Sequence, residues 1–220
     1  ICDEDGNEVP HGQKGEIVIK GENVMAGYWK NPESTEKTVV DGWLHTGDLG
    51  YVKDEHPGYL WVVGRFKSLL ISADGEKYSP EGFEDSLADG SKYIEQVILH
   101  NNQDPYTMAL IVPNKDTLRE LVKNKGLDTT SDEGKRAMLQ KIQDEVNEYR
   151  NGKFAGMFPE MCLPKAIAVL PEAFTEQNQL LNSSMKIVRG RVEERYADRI
   201  EYAYTPEGKE LFNEKNIASL

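Results

Sequence analysis

The first 63 residues carry the alternation of half-buried strands. "GEIVIKG" (residues 15–21) alternates polar and apolar side chains between glycines, and "GDLGYV" (47–52) and "GYLWVVG" (58–64) repeat the pattern. "KDEHPG" between the last two has the turn chemistry of a hairpin loop. One helix interrupts these strands at "NPESTEKTV" (31–39), with Asn31 as N-cap, Pro32 at the first helical position and acids in the first turn. After Gly64 the pattern changes. Residues 68–72 predict a short strand, and "SPEGFEDSL" (79–87) a helix capped by Ser79 with Pro80 at its first position. Strands follow at "EQVILH" (95–100) and "TMALIVP" (107–113), then helices at 116–125, stopped by Gly126, and at 131–150, where Leu139, Ile142, Val146 and Tyr149 form one apolar stripe. "KAIAVL" (165–170) predicts a strand, "SSMKIVRGRVEERY" (183–196) a basic helix and "TPEGKELFNEK" (205–215) a last helix capped by Thr205. This order predicts an α+β chain: a small β-rich subdomain, then a domain with a small sheet packed by helices. The joint is expected at 64–68, although no Pro/Gly/Ser linker marks it.

Charge narrows the partners. The 220 residues carry a formal net charge of −12, and the basic residues are scattered, which excludes nucleic acid as the main partner because a phosphate-backbone binder needs a basic face. Two cysteines, Cys2 and Cys162, match neither a disulfide framework nor a zinc site, so a reducing, cytoplasmic setting is expected. No apolar run approaches the roughly 20 residues of a bilayer span, and no charged-then-apolar leader opens the chain. The start, "ICDEDGNEVP", lacks an initiator methionine and reads as the middle of a hairpin, so the chain is expected to be a piece of a longer protein.

Several chemistries are excluded by inspection: there is no GxxxxGK[ST], GxGxxG, HExxH or GxSxG. "GRFKSLLISADGEKYSPEGFE" (64–84) places glycines and cations at a strand end, yet it lacks the glycines that would let backbone amides wrap a phosphate. Three elements remain. In "GWLHTGDLG" (42–50) Asp48 is expected at a tight turn between strands, where a carboxylate could accept from two vicinal hydroxyls; on the tripeptide alone, ordinary turn chemistry is the favoured explanation. Arg65 offers a planar fork and Lys67 a flexible point charge for phosphate or ribose oxygens, although two cations beside a strand, taken alone, are usually a solvated edge. In "LLNSSMKIVRG" (180–190) Lys186 is expected in the first turn of a helix, where the macrodipole disfavours a cation; the alternative is a solvated lysine at a loop end.

Taken in order, "GEIVIKG", "MAGYWKNPESTEKTV", "DGWLHTGDLGYV", "GYLWVVGRFKSLLISADGEKYSPEGFE" and "PEAFTEQNQLLNSSMKI" closely resemble the C-terminal part of the AMP-forming acyl-CoA synthetases, in the acyl-adenylate-forming superfamily. "ADGEKY" resembles the long-chain fatty acid type, and the stretch from Gly75 to Lys186 leaves room for an extra helix, expected at 131–150 as an amphipathic core helix. The resemblance implies that residues 1–66 end a large N-terminal adenylation domain, that 67–220 form a mobile C-terminal domain, and that the parent enzyme uses ATP with Mg2+, a fatty acid and coenzyme A. A fatty acid would be activated as acyl-AMP and then transferred to coenzyme A. By motif, Asp48 would bind the ribose hydroxyls, Arg65 the ribose or phosphate, and Lys186 would be the adenylation lysine. Lys67 would be the hinge, and Gly75 would leave room for the pantetheine arm of coenzyme A. Most Mg2+ ligands, the phosphate loop and the acyl pocket would lie in the N-terminal domain, so no metal site is expected here and the chain alone is expected to be inactive. Two departures stand out: Met185 precedes Lys186 where many relatives have glycine, implying a stiffer loop, and Asp74 stands beside Gly75 where a second glycine is common, weakening contact with coenzyme A phosphates. Two rivals are an adenylating enzyme that loads a carrier protein and a non-catalytic α+β interaction module. Peripheral membrane contact of the parent is compatible with all of this.

Overall fold

Asn31 fixes the first helix as its residue type demands: its side-chain oxygen accepts from the Ser34 N–H at 3.0 Å, and Pro32 fills a position whose amide would be unpaired. The computed structural model describes residues 1–3 and 5–220, except the side chain of Lys67. The helix, α1 (Pro32–Thr38), follows β1 (Gly15–Ile19) and precedes β2 (Val39–Val40), β3 (Trp43–Lys53) and β4 (His56–Arg65). All three other strands pair antiparallel with β3. The strand expected to begin at Gly47 begins at Trp43, so Asp48 lies within a strand and not at a turn between two. These elements belong to a compact unit, Ile1–Leu69, and the remainder, Leu70–Leu220, forms a second.

Where the first unit ends and the second begins, the strand expected at 68–72 is shorter. A 3-10 turn covers Phe66–Ser68, and only β5 (Leu70–Ile71) is extended, paired with β6 (Lys77–Tyr78). Helix α2 (Glu81–Gly90) starts with Pro80 as its N-cap residue. Ser79 does not cap it: the hydroxyl is buried and has no partner. β7 (Ile94–His100) and β8 (Met108–Pro113) pair antiparallel, α3 (Lys115–Asn124) and α4 (Asp132–Asn147) follow with side-chain caps from Asn114 and Ser131, and β9 (Ala166–Val169) returns parallel to β8. The expected basic helix at 183–196 is only α5 (Arg189–Arg195), because residues 182–187 form a turn closed by the Leu181↔Ile187 bridge. α6 (Ala197–Ala203) has no counterpart among the expected elements, and the last expected helix is two, α7 (Pro206–Lys209) and α8 (Glu214–Ala218), capped by Thr205 and Asn213.

The sheet β7–β8–β9 is covered on both faces, which explains the unbroken apolar run of its central strand. Val97, Leu99, Ala109, Ile111, Ile167 and Val169 face a core shared with α2, α3 and α4; Ile98, Leu110, Ala168 and Leu170 face Val192, Tyr196 and Ile200 of α5 and α6. Leu139, Ile142 and Val146 of α4 are buried as the stripe predicts, and Tyr149 is buried just beyond the helix. At the C-terminus Asn216 is fully enclosed, donating to Ile167 O and Leu211 O and accepting from Val169 N–H and an Arg199 Nη. It ties α8 to the edge strand.

Candidate functional site

In the first unit Asp48 and Arg65 sit directly opposite each other on β3 and β4. Arg65 Nε donates to Asp48 Oδ1 at 3.2 Å, and both side chains reach solvent, 61% and 38% exposed for Arg65 and Asp48. The pairing of β3 with β1 jumps from Val18↔His45 to Glu16↔Leu49, so Thr46, Gly47 and Asp48 bulge from the ladder. Gly47 takes φ +72°, a conformation that favours glycine. Glu16 fills the bulge: one carboxylate oxygen accepts the Gly47 N–H at 3.0 Å and the other meets His45 Nδ1 at 2.8 Å. Thr46 donates to Ile17 O at 2.7 Å and accepts the Asp48 N–H at 3.0 Å. Turn chemistry is therefore present, but it serves to re-aim Asp48 beside Arg65. The arrangement leaves Asp48 Oδ2 as an acceptor and both Arg65 Nη groups as a donor fork, suited to hydroxyls and to phosphate oxygens respectively.

The other candidates lie further along. The backbone of Lys67 lies in the Phe66–Ser68 turn, and its side chain lies outside the described residues. Gly75 closes a turn in which its N–H donates to Ser72 O at 2.9 Å, at φ +87°. A Cβ there would meet no atom within 4 Å, so within this unit the glycine answers a backbone conformation and not crowding. The Asp74 carboxylate is turned into the loop, bonded to the Ser72 hydroxyl and the Glu76 N–H, and the Ser72 bond holds it below the usual carboxylate range. A cleft of about 250 Å³ beside this turn is lined by Ser72, Asp74, Asn101, Tyr106 and Lys165 among others.

Lys186 is not in a helix. The Asn182 side chain accepts from the Ser184 and Lys186 N–H groups at 2.9 and 3.0 Å, Asn182 N–H donates to Lys186 O at 2.9 Å, and Met185 takes φ +61°. Its side chain is exposed. The misfit of a cation at a helix start belongs instead to Arg189, the first residue of α5. One Arg189 Nη contacts both oxygens of Glu84 at 2.7 Å and the other donates to Leu99 O at 2.7 Å, while Leu99 N–H donates to Glu84 at 2.5 Å. Burial pushes the Glu84 carboxyl up, and the guanidinium opposes that shift. Sequence reasoning missed this pair, because a glutamate on one helix and an arginine on another look like solvated charges until the fold buries both.

Residues 67–208 match the AMP-binding enzyme C-terminal domain. The chain belongs to that family. Among curated relatives it is 31% identical over 196 residues to fatty acyl-CoA synthetase B of Dictyostelium discoideum, covering 88% of this chain and 28% of that protein. It is 26% identical over 211 residues to the chloroplastic long-chain-fatty-acid–[acyl-carrier-protein] ligase AEE15 of Arabidopsis thaliana, covering 92% and 27% respectively. In structure it resembles the adenylation domain of a carboxylate reductase from Mycobacterium chelonae, with a TM-score of 0.72 and 27% identity over 90% of this chain and 28% of that one. The chain thus spans under a third of the length of these relatives. The mixed α+β architecture is that of adenylate-forming enzymes. Among the described residues no helix is long and apolar enough to cross a membrane, and no cluster of three or more His, Cys, Asp or Glu side chains could hold a metal.

Proposed function

We propose that this chain is the C-terminal part of an AMP-forming long-chain fatty acid–CoA ligase, and that its Asp48/Arg65 pair holds the nucleotide. The pair carries the reading: an acceptor and a fork of donors, fixed side by side on neighbouring strands and open to solvent, match a ribose diol next to a phosphate. Lys186 supplies the remaining charge. Bringing a fatty acid carboxylate to the α-phosphate of ATP sets like charges together, and an ammonium between them stabilises the arrangement that must react. The carboxylate displaces pyrophosphate to give acyl-AMP; the thiol of coenzyme A then attacks the acyl carbon, AMP departs and the thiol proton is lost. Residues 1–66 would close the adenylation domain, with Lys67 as the pivot about which 67–220 turns between the two steps. The Gly75 turn would face the pantetheine arm in the second step. Magnesium, which would accompany ATP, is assigned no ligand in this chain.

A carrier-protein acceptor is a second reading, favoured by the activity for which the Arabidopsis relative is named. Parallel assays with coenzyme A and with acyl carrier protein separate the two. Pyrophosphate exchange with ATP, magnesium and palmitate tests the main proposal. The full-length parent is expected to exchange, Lys186→Ala to lose the exchange by at least about 100-fold while still forming thioester from supplied acyl-adenylate, and the 220-residue chain alone to be silent. Equal loss of both half-reactions in Lys186→Ala would make that lysine structural, and robust exchange by the isolated chain would refute the division of the active site.

A further inference from the structure

The most enclosed ion pair among the described residues is Glu84/Arg189, with side chains only 10% and 17% exposed, and its arginine follows shortly after Lys186 in the chain. Such a pair is a poor source of stability, since taking two charges out of water offsets most of their attraction. What it supplies is geometry. The Arg189 fork reaches both the Glu84 carboxylate on α2 and the Leu99 carbonyl on β7, so it pins the first residue of α5 to two other elements at once. The two residues between Arg189 and Lys186 have no slack: Ile187 bridges to Leu181, and Val188 N–H donates to Leu180 O at 2.8 Å. The turn bearing Lys186 is therefore tied to the central sheet on its downstream side.

We infer that the Glu84/Arg189 pair is a positioning device for Lys186, fixing where its turn stands relative to the sheet. This rests on the proposed role of Lys186 in adenylation. A displacement of about 1 Å at a reacting group can lower a rate by about 100-fold, so a rigid tether matters more for Lys186 than for a surface lysine. The Gly75 turn is held separately, by β5–β6 pairing and by the Ser72 to Glu76 bonds, so the second half-reaction does not depend on the tether.

Two variants of the full-length protein test this. Arg189→Lys keeps a cation beside Glu84 but gives up the fork; the double variant Glu84→Met/Arg189→Met removes both charges without leaving one buried alone. Each is expected to lower kcat for pyrophosphate exchange about 10-fold, with KM for ATP and thioester formation from supplied acyl-adenylate within about twofold of the parent. A folded variant with unchanged exchange, an equal fall in both half-reactions, or failure of both variants to fold would overturn the inference in favour of a plain structural pair. Lys186→Ala, run alongside, keeps the two readings apart. Full exchange in that variant overturns the role of Lys186 itself, whereas loss there with full exchange in Arg189→Lys overturns the tether alone.

Discussion

At the scale of single residues, two side chains show how the fold changes what a residue can do. Burial pushes the Cys162 thiol up to about 11 from its ordinary 9.0, leaving almost no thiolate near neutral pH. Cys162 is expected to resist iodoacetamide at pH 8 in the native protein and to react on unfolding, a difference that mass spectrometry reads directly. The unfolded chain releases this proton first, so the contribution to stability shrinks as pH rises from 9.0 towards 11 and is unchanged below that window. Met185 is the converse case, a bulky residue at φ +61° with its side chain in solvent. Left-handed backbone costs an L-residue roughly 1–2 kcal/mol, and glycine loses part of that gain to its greater freedom when unfolded. Met185→Gly is expected to raise urea stability by about 0.5–1 kcal/mol, and a loss of stability would mean that the turn draws on the methionine.

At the scale of elements, the turn around Lys67, near the end of the first unit, is the part with a proposed motion. Phe66–Ser68 is a single 3-10 turn between an extended Arg65 and an extended Leu69, so few dihedral angles are available to change. A proline at Lys67 would lock φ there and push Phe66 away from helical geometry. Lys67→Pro in the parent is expected to slow thioester formation at least about 10-fold more than adenylation, and an unaltered ratio of the two half-reactions would remove the hinge. The helices were legible where local chemistry decides them: Asn31, Ser131 and Thr205 all cap as their types predict. Ser79 failed as a cap because Pro80 itself takes that position, and the basic helix lost everything before Arg189 because Asn182 captured the Ser184 and Lys186 amides.

For the whole molecule, apolar burial is divided very unevenly. Among the described residues the first unit buries only Val9, Ile17 and Leu49 of its large apolar side chains, while Trp29, Tyr59 and Val62 are more than half exposed. The second unit holds both faces of a covered sheet. Opening free energy follows buried contacts, so hydrogen exchange is expected to be slowest at β7, β8 and β9 and to be fast throughout β4. Comparable protection of β4 and β8 would contradict this. The exposed aromatic side chains of the first unit also accord with its proposed place at the edge of a larger domain.

Most of the strands and helices up to β9, the α+β class and the family resemblance were carried by the sequence itself, because alternation, capping and motif order are local properties that survive without a fold. "TMALIVP" already announced a strand, though its burial on both faces emerged only in the fold, and the stripe of 131–150 already announced a core helix. Only the tertiary structure decided which distant residues meet. The bulge that turns Asp48 towards Arg65 depends on Glu16 from another strand, and the burial of Glu84 with Arg189 depends on two helices and a strand converging. Enclosure of Asn216 by β9, Leu211 and Arg199 is of the same kind. No local pattern records these meetings, since each polar side chain is ordinary in its own segment and gains its role from partners brought close by packing.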